Sequence, residues 1–534
     1  MKLMPPPLDP VSKTDATANF TPAPGMVVGF VLVSFAALLL CLPFIRSVYW
    51  LGDEGILLRG GAELLRGRKI YADFFAFLPP GGYLLMAGWM KLFGPGFLGI
   101  RLFAILNIAG IAACTYLACL LASGNVVLSV FLALAWLLTS TSTSDVAIGH
   151  HWITTWLALM AFGLALRAIT IRQNREAGLG LASLAGLLGG AAAMVTSSCG
   201  LWALLATVAS YLSARRLPRP FLACLAGGLL APLCCLVYIV HSGALIPAFN
   251  DIILNTFTRY SAIQHVAYGA GKPWFAINAY IFPLAGLGAL ALLIRAPRRY
   301  ITDPSLLCCI WFALAGFAGI FPRPDTYHIE ATEPLALPLI AFCATKLTAN
   351  WRPFRRRLVL ELALIWSLPQ TIVFIQNARV AIAAPTYDTP RGPIALMGHE
   401  RLGGDAVFNF LATKPATDGF FFYPYMPLMP FLAERPQTSL YDIFTPGYTT
   451  RAQYFNTCQD VVVKAKWLIL DKPMMNPKVL RMIFPAMKNA APPETQGFEH
   501  ALAVNFRPVK QLGVFEIEQR LPSPDIAACD AVLH

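Results

Sequence analysis

Charge is scarce in this 534-residue chain: 13% of its residues are Asp, Glu, Lys or Arg, against 57% hydrophobic. So little charge cannot cover a soluble globular surface without leaving large apolar areas in water, so a soluble domain is excluded. The chain has no Walker A loop, no dinucleotide-binding glycine pattern and no internal repeat, which removes the usual motif-borne grounds for expecting nucleotide binding or a solenoid. It also lacks a Cys-x-x-Cys metal spacing. Ten of its 12 cysteines lie inside apolar runs, where Cys packs as a small hydrophobe. Only Cys458 and Cys529 fall in a polar region, where an extracytoplasmic disulfide is an option that spacing alone does not decide. The formal net charge is +13, but the Lys and Arg residues gather in short loops between apolar runs. They read as topology signals, and no nucleic-acid partner is implied.

What the chain does have is a succession of apolar runs. Residues 1–25, with Pro5-Pro6-Pro7, read as a disordered cytoplasmic lead. The run at 26–45 has no small-x-small cleavage site and reads as an uncleaved first helix. Ten more follow at 98–122, 125–139, 152–171, 178–195, 200–212, 221–241, 274–294, 306–321, 334–348 and 358–375, several of them shorter than the roughly 20 residues a perpendicular span needs. The expected fold class is a polytopic α-helical membrane protein, with about eleven transmembrane helices in a membrane domain at 26–382.

With eleven spans, the clusters Arg167/Arg172/Arg175, Arg215/Arg216/Arg219, Arg295/Arg298/Arg299 and Arg352/Arg355/Arg356/Arg357 all fall on one side, which should be the cytoplasm. The segment 79–93 is apolar but too short to cross at 1.5 Å per residue. Counting it as a span would reverse every later loop, so it is expected to be an interfacial or re-entrant helix within a first outer loop at 46–97. Beyond about Ala383 no run can span. Residues 383–534 are expected to form a soluble extracytoplasmic α/β domain, with strands at Phe420–Tyr423, Trp467–Asp471 and 514–517 and helices at 404–411 and 477–484.

Three polar constellations then share the outer side. The first begins at Asp53-Glu54, directly after the first apolar run, and continues through Arg59, Glu63, Arg66, Arg68, Lys69, Tyr71 and Asp73. Residues 53–66 are expected to form a helix lying in the interface, with Leu57, Leu58, Leu64 and Leu65 on its apolar side. Carboxylates at a span end bind a cation, hold a polar substrate or take a proton. Arg66, Arg68 and Lys69 can equally do no more than solvate the helix. The second constellation is Asp145 with His150-His151. Zinc, a phosphate oxygen and simple capping are all open to it, although adjacent histidines point apart on most backbones. The third is Arg323-Pro324-Asp325-Thr326-Tyr327-His328, where Arg and His together suit phosphate, unless Arg323 merely pairs with Asp325. A longer outer loop at 242–273, carrying Arg259, Tyr260, His265 and Lys272, can act as a lid.

The order of these features resembles a known family. The acid pair, Gly67-x-x-x-Tyr71-x-Asp73-Phe74, Pro79-Pro80-Gly81-Gly82-Tyr83, Leu92-Phe93-Gly94 and Arg101-Leu102 are similar to the multispanning GT-C glycosyltransferases, in particular the bacterial protein mannosyltransferase and aminoarabinose transferase type. The resemblance is strongest over residues 45–105 and extends to Arg323–His328 and to Asp418-Gly419-Phe420, Tyr441-Asp442 and Pro446-Gly447. It implies a transferase in the cytoplasmic (inner) membrane, with its site facing the periplasm or exterior. Such an enzyme moves a sugar from a polyprenyl-phosphate donor to a lipid, glycan or protein acceptor, usually with inversion. Asp53 matches the family's first-loop acid and would be the base, with Glu54 assisting. Arg59, Lys69, Tyr71, Asp73, Asp145, His150, His151, Arg259, Lys272, Arg323, Asp325 and His328 would hold substrate or its phosphate. Asp145 sits where some relatives carry a second acid, while His150-His151 depart from the aminoarabinose transferase pattern. A divalent metal is an open option, and no other cofactor is implied. The alternative class is a secondary transporter or flippase component, although transporters place their ionisable residues near the midplane.

Overall fold

The computed structural model describes residues 24–140, 146–170, 175–214, 218–270 and 277–534. The chain opens with α1 (Pro24–Cys41), followed by two helices that do not cross, α2 (Asp53–Leu65) and α3 (Pro80–Phe93). The membrane part continues through α4 (Phe97–Ser123), α5 (Val126–Thr139), α6 (His150–Thr170), α7 (Arg175–Val195), α8 (Ser197–Ser213) and α9 (Arg219–His241). It is completed by the helices Ile281–Arg295, Pro304–Gly319, Leu337–Leu347 and Pro353–Ala383. Seven helices are long and apolar enough to cross a membrane, and four shorter apolar ones accompany them. Each of the eleven apolar runs marked in the sequence falls on one of these helices.

In the bundle, α4 is central: Ile100, Ala104, Ile108, Ile111, Ala112 and Cys119 are all buried. On peripheral helices the apolar side chains face outward instead, as with Leu230, Leu233 and Val237 on α9 and Leu364, Ile365 and Leu368 on Pro353–Ala383. Such a surface suits hydrocarbon, where a helix satisfies its own backbone hydrogen bonds.

The short helix α3 begins and ends on one side. Its N-terminus packs on the end of α7, where a Cβ at Gly81 would lie 2.5 Å from the Met194 carbonyl oxygen. Just beyond its C-terminus, the Phe97 amide donates to the carbonyl of Arg391 in the C-terminal region, at 2.6 Å. At 14 residues it is also too short to cross. It is thus the interfacial element the span count requires.

The C-terminal region is an α/β layer stitched to the first loop. Strand β1 (Ser47–Val48) pairs in parallel with β3 (Gly392–Leu396), which pairs antiparallel with β2 (Tyr387–Thr389). A second sheet has the order β4 (Phe420–Tyr423), β5 (Trp467–Asp471), β7 (Phe515–Arg520), β6 (Phe506–Leu512). The first pair in it is parallel and the rest antiparallel. Behind this sheet Phe421, Tyr423, Phe444, Tyr454 and Phe498 form an aromatic core. Cys458 and Cys529 are joined in a disulfide beside it, with a Cα–Cα distance of 5.8 Å.

Candidate active site

Asp53 and Glu54 are the first two residues of α2, where a helix N-terminus favours negative charge. Consecutive helical residues point about 100° apart at 3.6 residues per turn, so adjacent acids at this position must face different surroundings. Asp53 faces a cavity of about 340 Å³ between the membrane helix ends and the C-terminal region. Glu54 turns into the protein, where Arg101 of α4 grips both its oxygens, Nη2 to Oε2 at 2.9 Å and Nη1 to Oε1. The same Oε1 accepts the Ile148 amide at 3.0 Å. Glu54 therefore ties α2 to α4 and to the start of α6, and its carboxylate is fully engaged. Gly55 follows because the 427–428 backbone crosses α2 there: a Cβ would lie 2.0 Å from the Leu428 nitrogen.

The Asp53 side chain is open to the cavity. Tyr425 donates its hydroxyl hydrogen to Asp53 Oδ1. Burial pushes the Asp53 carboxyl pKa up, opposed by the Tyr425 hydrogen bond and by the positive fields of His328 and Arg323. A raised pKa makes the ionised carboxylate a stronger proton acceptor.

Opposite Asp53 stands the 323–328 turn. Arg323 donates from Nε to Asp325 Oδ2 at 2.6 Å, from Nη1 to Gln264 Oε1 at 2.6 Å and from Nη2 to the Ile483 carbonyl at 3.0 Å. Its guanidinium also lies 5.4 Å from the centre of the Phe484 ring. Asp325 caps the helix Thr326–Thr332 through the His328 amide and receives His328 Nδ1 at 2.7 Å. Burial alone would raise the Asp325 pKa, but the hydrogen bonds and charge of His328 and Arg323 outweigh it and hold the carboxyl down to about 2. Asp325 is ionised, so it fixes His328 with Nδ1 as donor. His150 bonds through Nδ1 to Thr196 Oγ1 at 3.0 Å, while His151, its ring centre 4.7 Å from that of His328, has a buried Nδ1 without a partner among the described residues. Arg323, three imidazoles and the Asp53 carboxyl thus line one concave surface, an arrangement of donors and acceptors that suits a polar group.

The structure thus gathers Asp53, Glu54, His150, His151, Arg323, Asp325 and His328 around one cavity. Asp145 and Lys272 lie outside the described residues. Five other expected site residues are elsewhere. Arg59 is buried in an ion pair with Asp442, so it joins α2 to the C-terminal region and does not reach the cavity. Lys69 and Asp73 close a turn, with the Lys69 amide donating to Asp73 Oδ2 at 2.7 Å. Tyr71, at a φ of 67°, donates to the Leu78 carbonyl at 2.7 Å and lines a separate cavity with Arg259. The expected interfacial helix at 53–66 is likewise buried on almost every side, because the C-terminal segment Leu428–Leu432 covers it. The 242–273 loop is helical over much of 245–264 and places Tyr260, Ile263 and Gln264 in the cavity wall.

Several cavity residues went unmarked in the sequence: Tyr425, Thr445, Tyr448, Ile483 and Phe484, all from the C-terminal region. Their one signal is the aromatic and proline density of 420–448. Among the described residues, His399, Glu400 and Asp471 bring three potential metal-ligand atoms within 4.8 Å of one another. However, His399 meets Asp471 Oδ2 through Nε2 at 3.1 Å and Glu400 Oε2 through Nδ1 at 3.5 Å. These contacts form a brace in the structure, with one carboxylate beside each ring nitrogen of His399. Glu400 Oε1 extends that brace by accepting the Leu51 amide at 3.1 Å, two residues before Asp53.

No family model matches the chain, and no curated protein matches it. Solved structures do. The fold is similar to that of ArnT from Cupriavidus metallidurans bound to undecaprenyl phosphate, with a TM-score of 0.57 and 14% identity, covering 94% of this chain and 99% of that one. It is also similar to the Archaeoglobus fulgidus oligosaccharyltransferase tethered with an acceptor peptide, with a TM-score of 0.53 and 11% identity, covering 93% and 74%. Both are GT-C glycosyltransferases, and the present chain has a GT-C-like fold.

Proposed function

We propose that this chain is a glycosyltransferase that moves a sugar from a polyprenyl-phosphate donor at the outer face of the cytoplasmic membrane. The observation that carries the reading is the placement of Asp53 in one cavity with Arg323 and His328, at the level where the membrane helices end. A lipid-linked donor presents its phosphate at that level. The remaining N–H groups of Arg323, with His328 and the histidine pair, hold the phosphate, while the apolar and aromatic walls exclude water.

The reaction needs one proton acceptor. Asp53 takes the proton of an acceptor hydroxyl as its oxygen bonds to the anomeric carbon. The bond from that carbon to the phosphate oxygen breaks, and the electron pair leaves on the polyprenyl phosphate, whose anion Arg323 and His328 stabilise. In-line displacement inverts the anomeric centre. The Asp53 carboxylate also stabilises positive charge developing on the sugar ring, a logic shared with glycoside hydrolysis. Glu54 acts through position alone: with Arg101 it sets the angle at which α2 presents Asp53.

Two features support an outward-facing site. The Cys458–Cys529 disulfide suits an oxidising compartment. Arg167, Arg219, Arg295 and Arg352 sit at helix ends remote from the cavity, as cytoplasmic charges should.

The test compares mass spectra of lipids and surface glycans from cells with the wild-type chain, without it, and with Asp53→Asn. The expected result is loss of a single-sugar increment from one acceptor class in both altered strains, with accumulation of the polyprenyl-phosphate sugar. Identical spectra in all three strains would overturn the reading.

A further inference from the structure

A second cavity, of about 630 Å³, lies between the 245–264 segment, the loop bearing Tyr71 and Phe75, and the helix Arg451–Lys464. Its inner wall holds Asp251, which is 9% exposed. Among the described residues the hydrogen bond to the Asp251 side chain comes from Asn255 Nδ2, at 3.4 Å from Oδ1. Arg259 lines the same cavity, yet among the described residues no cation pairs with Asp251. Burial pushes its pKa up to about 7. A buried carboxylate with so few donors is costly unless something else supplies them. The surroundings show what kind of donor fits. Amide side chains come from Asn250, Asn255 and Asn456, and aromatic faces from Tyr71, Phe75 and Tyr441. Carboxylates and amides match the paired donors and acceptors of hydroxyl groups, and aromatic faces match the C–H faces of a sugar ring.

The two cavities differ in their charged lining. The first is lined by Arg323, three histidines and the acids Asp53, Glu54 and Asp325, whereas the second holds one acid, Asp251, and one arginine, Arg259, and is rich in amides. One layer of rings divides them. Phe75 lines the second cavity, while Phe77 and Tyr448 line the first, each with its ring centre 6.4 Å from that of Phe75. The rim of the second cavity is exposed at the polar residues Asn250, Thr258, Arg259 and Asn456, so a polar ligand meets polar side chains at its mouth.

We propose that the second cavity, through Asp251 and the side chains of Tyr71, Phe75 and Tyr441, binds a neutral, hydroxyl-rich glycan. This binding does not rest on the transferase reading above.

Full-length protein in phosphatidylethanolamine–phosphatidylglycerol nanodiscs, without donor, is titrated with maltotriose, cellotriose, mannotriose and xylotriose by saturation-transfer NMR. Undecaprenyl phosphate serves as the comparison ligand. At least one trisaccharide should bind, and Asp251→Ala and Tyr441→Ala should each weaken it tenfold or more. Neither should change undecaprenyl phosphate binding, which also reports that the variants are folded. Asn456→Ala, at the exposed rim, supplies a milder variant with a smaller loss. Failure of all four sugars to bind, binding indifferent to these substitutions, or loss of undecaprenyl phosphate binding in Asp251→Ala would each overturn the proposal. Undiminished transfer by Asp53→Asn would remove the base assignment and leave trisaccharide binding untouched, so the two readings fail separately.

Discussion

On the membrane side of the first cavity polar side chains bond to one another at helix ends, Asp325 with Arg323 and His328 and His150 with Thr196, among aromatic neighbours such as Trp50, Phe77 and Tyr260, whereas the wall supplied by the C-terminal region is mostly aromatic and apolar, with Tyr448, Ile483 and Phe484. Charge comes from below and enclosure from above. The polar wall combines a local element, the 323–328 turn, with longer-range bonds from Arg323 to Gln264 and the Ile483 carbonyl and from His150 to Thr196. The aromatic wall acts by removing water, which strengthens every interaction the polar wall makes. Tyr425 and Arg323 join them: Tyr425 belongs to the upper wall and donates to Asp53, and Arg323 donates to the Ile483 carbonyl.

If this division is right, substitutions below should cost chemistry and those above should tune it. The largest effect is expected from Asp53→Asn, with kcat lower by about 10²–10⁴-fold in a reconstituted transfer assay and an unchanged melting temperature. An equal fall in melting temperature would turn the acid into a structural group and break the comparison. Arg323→Ala should lower kcat by about 10²–10³-fold through lost stabilisation of the leaving phosphate. A change confined to acceptor KM would contradict that role.

Glu54→Gln tests the acid that does not face the cavity in the same way. Leaving Arg101 buried and unpaired should cost about 3–5 kcal/mol of stability, read in thermal unfolding, with kcat of the surviving folded protein near wild type. In the upper wall, Tyr425→Phe removes a hydrogen bond that lowers the Asp53 pKa. The Asp53 pKa should then rise further, and because a base works only when deprotonated, the acid limb of the kcat/KM profile should move to higher pH. A shift toward lower pH would show that Tyr425 does not serve Asp53. The smallest effect is expected from Phe484→Leu, which loses the cation–π contact with Arg323 at a cost of about 0.5–1 kcal/mol, read as a few-fold rise in donor KM.

Reading the sequence went furthest where one dimension suffices. An apolar run announces a membrane helix by length alone, and Asp53 and Arg323–His328 stand out because polar residues interrupt such runs at their ends. Glu54 is invisible as a brace, since its meaning depends on Arg101, 47 residues away across two helices. Arg59 looks like a substrate ligand until Asp442 arrives from the C-terminal region to neutralise it. The upper wall is least legible because Tyr425 meets Asp53 across 372 residues, and no periodicity encodes a pairing so distant. Aromatic residues in an α/β layer are ordinary core material, so Tyr448 and Phe484 carry no mark of the cavity they enclose.

The pairing of β1 with β3 has a consequence for the order in which this molecule can be made. Ser47 and Val48 leave the ribosome early, yet their partners Ala395 and Leu396 are synthesised some 350 residues later. At about 5–20 residues per second, that interval is roughly twenty seconds to a minute. Throughout it the first loop lacks its neighbouring strand, Leu428 over Gly55 and Tyr425 on Asp53. A nascent chain therefore has every membrane helix synthesised before it has a closed cavity, and the Asp53 carboxyl lacks its Tyr425 partner until the last quarter of the protein has been made.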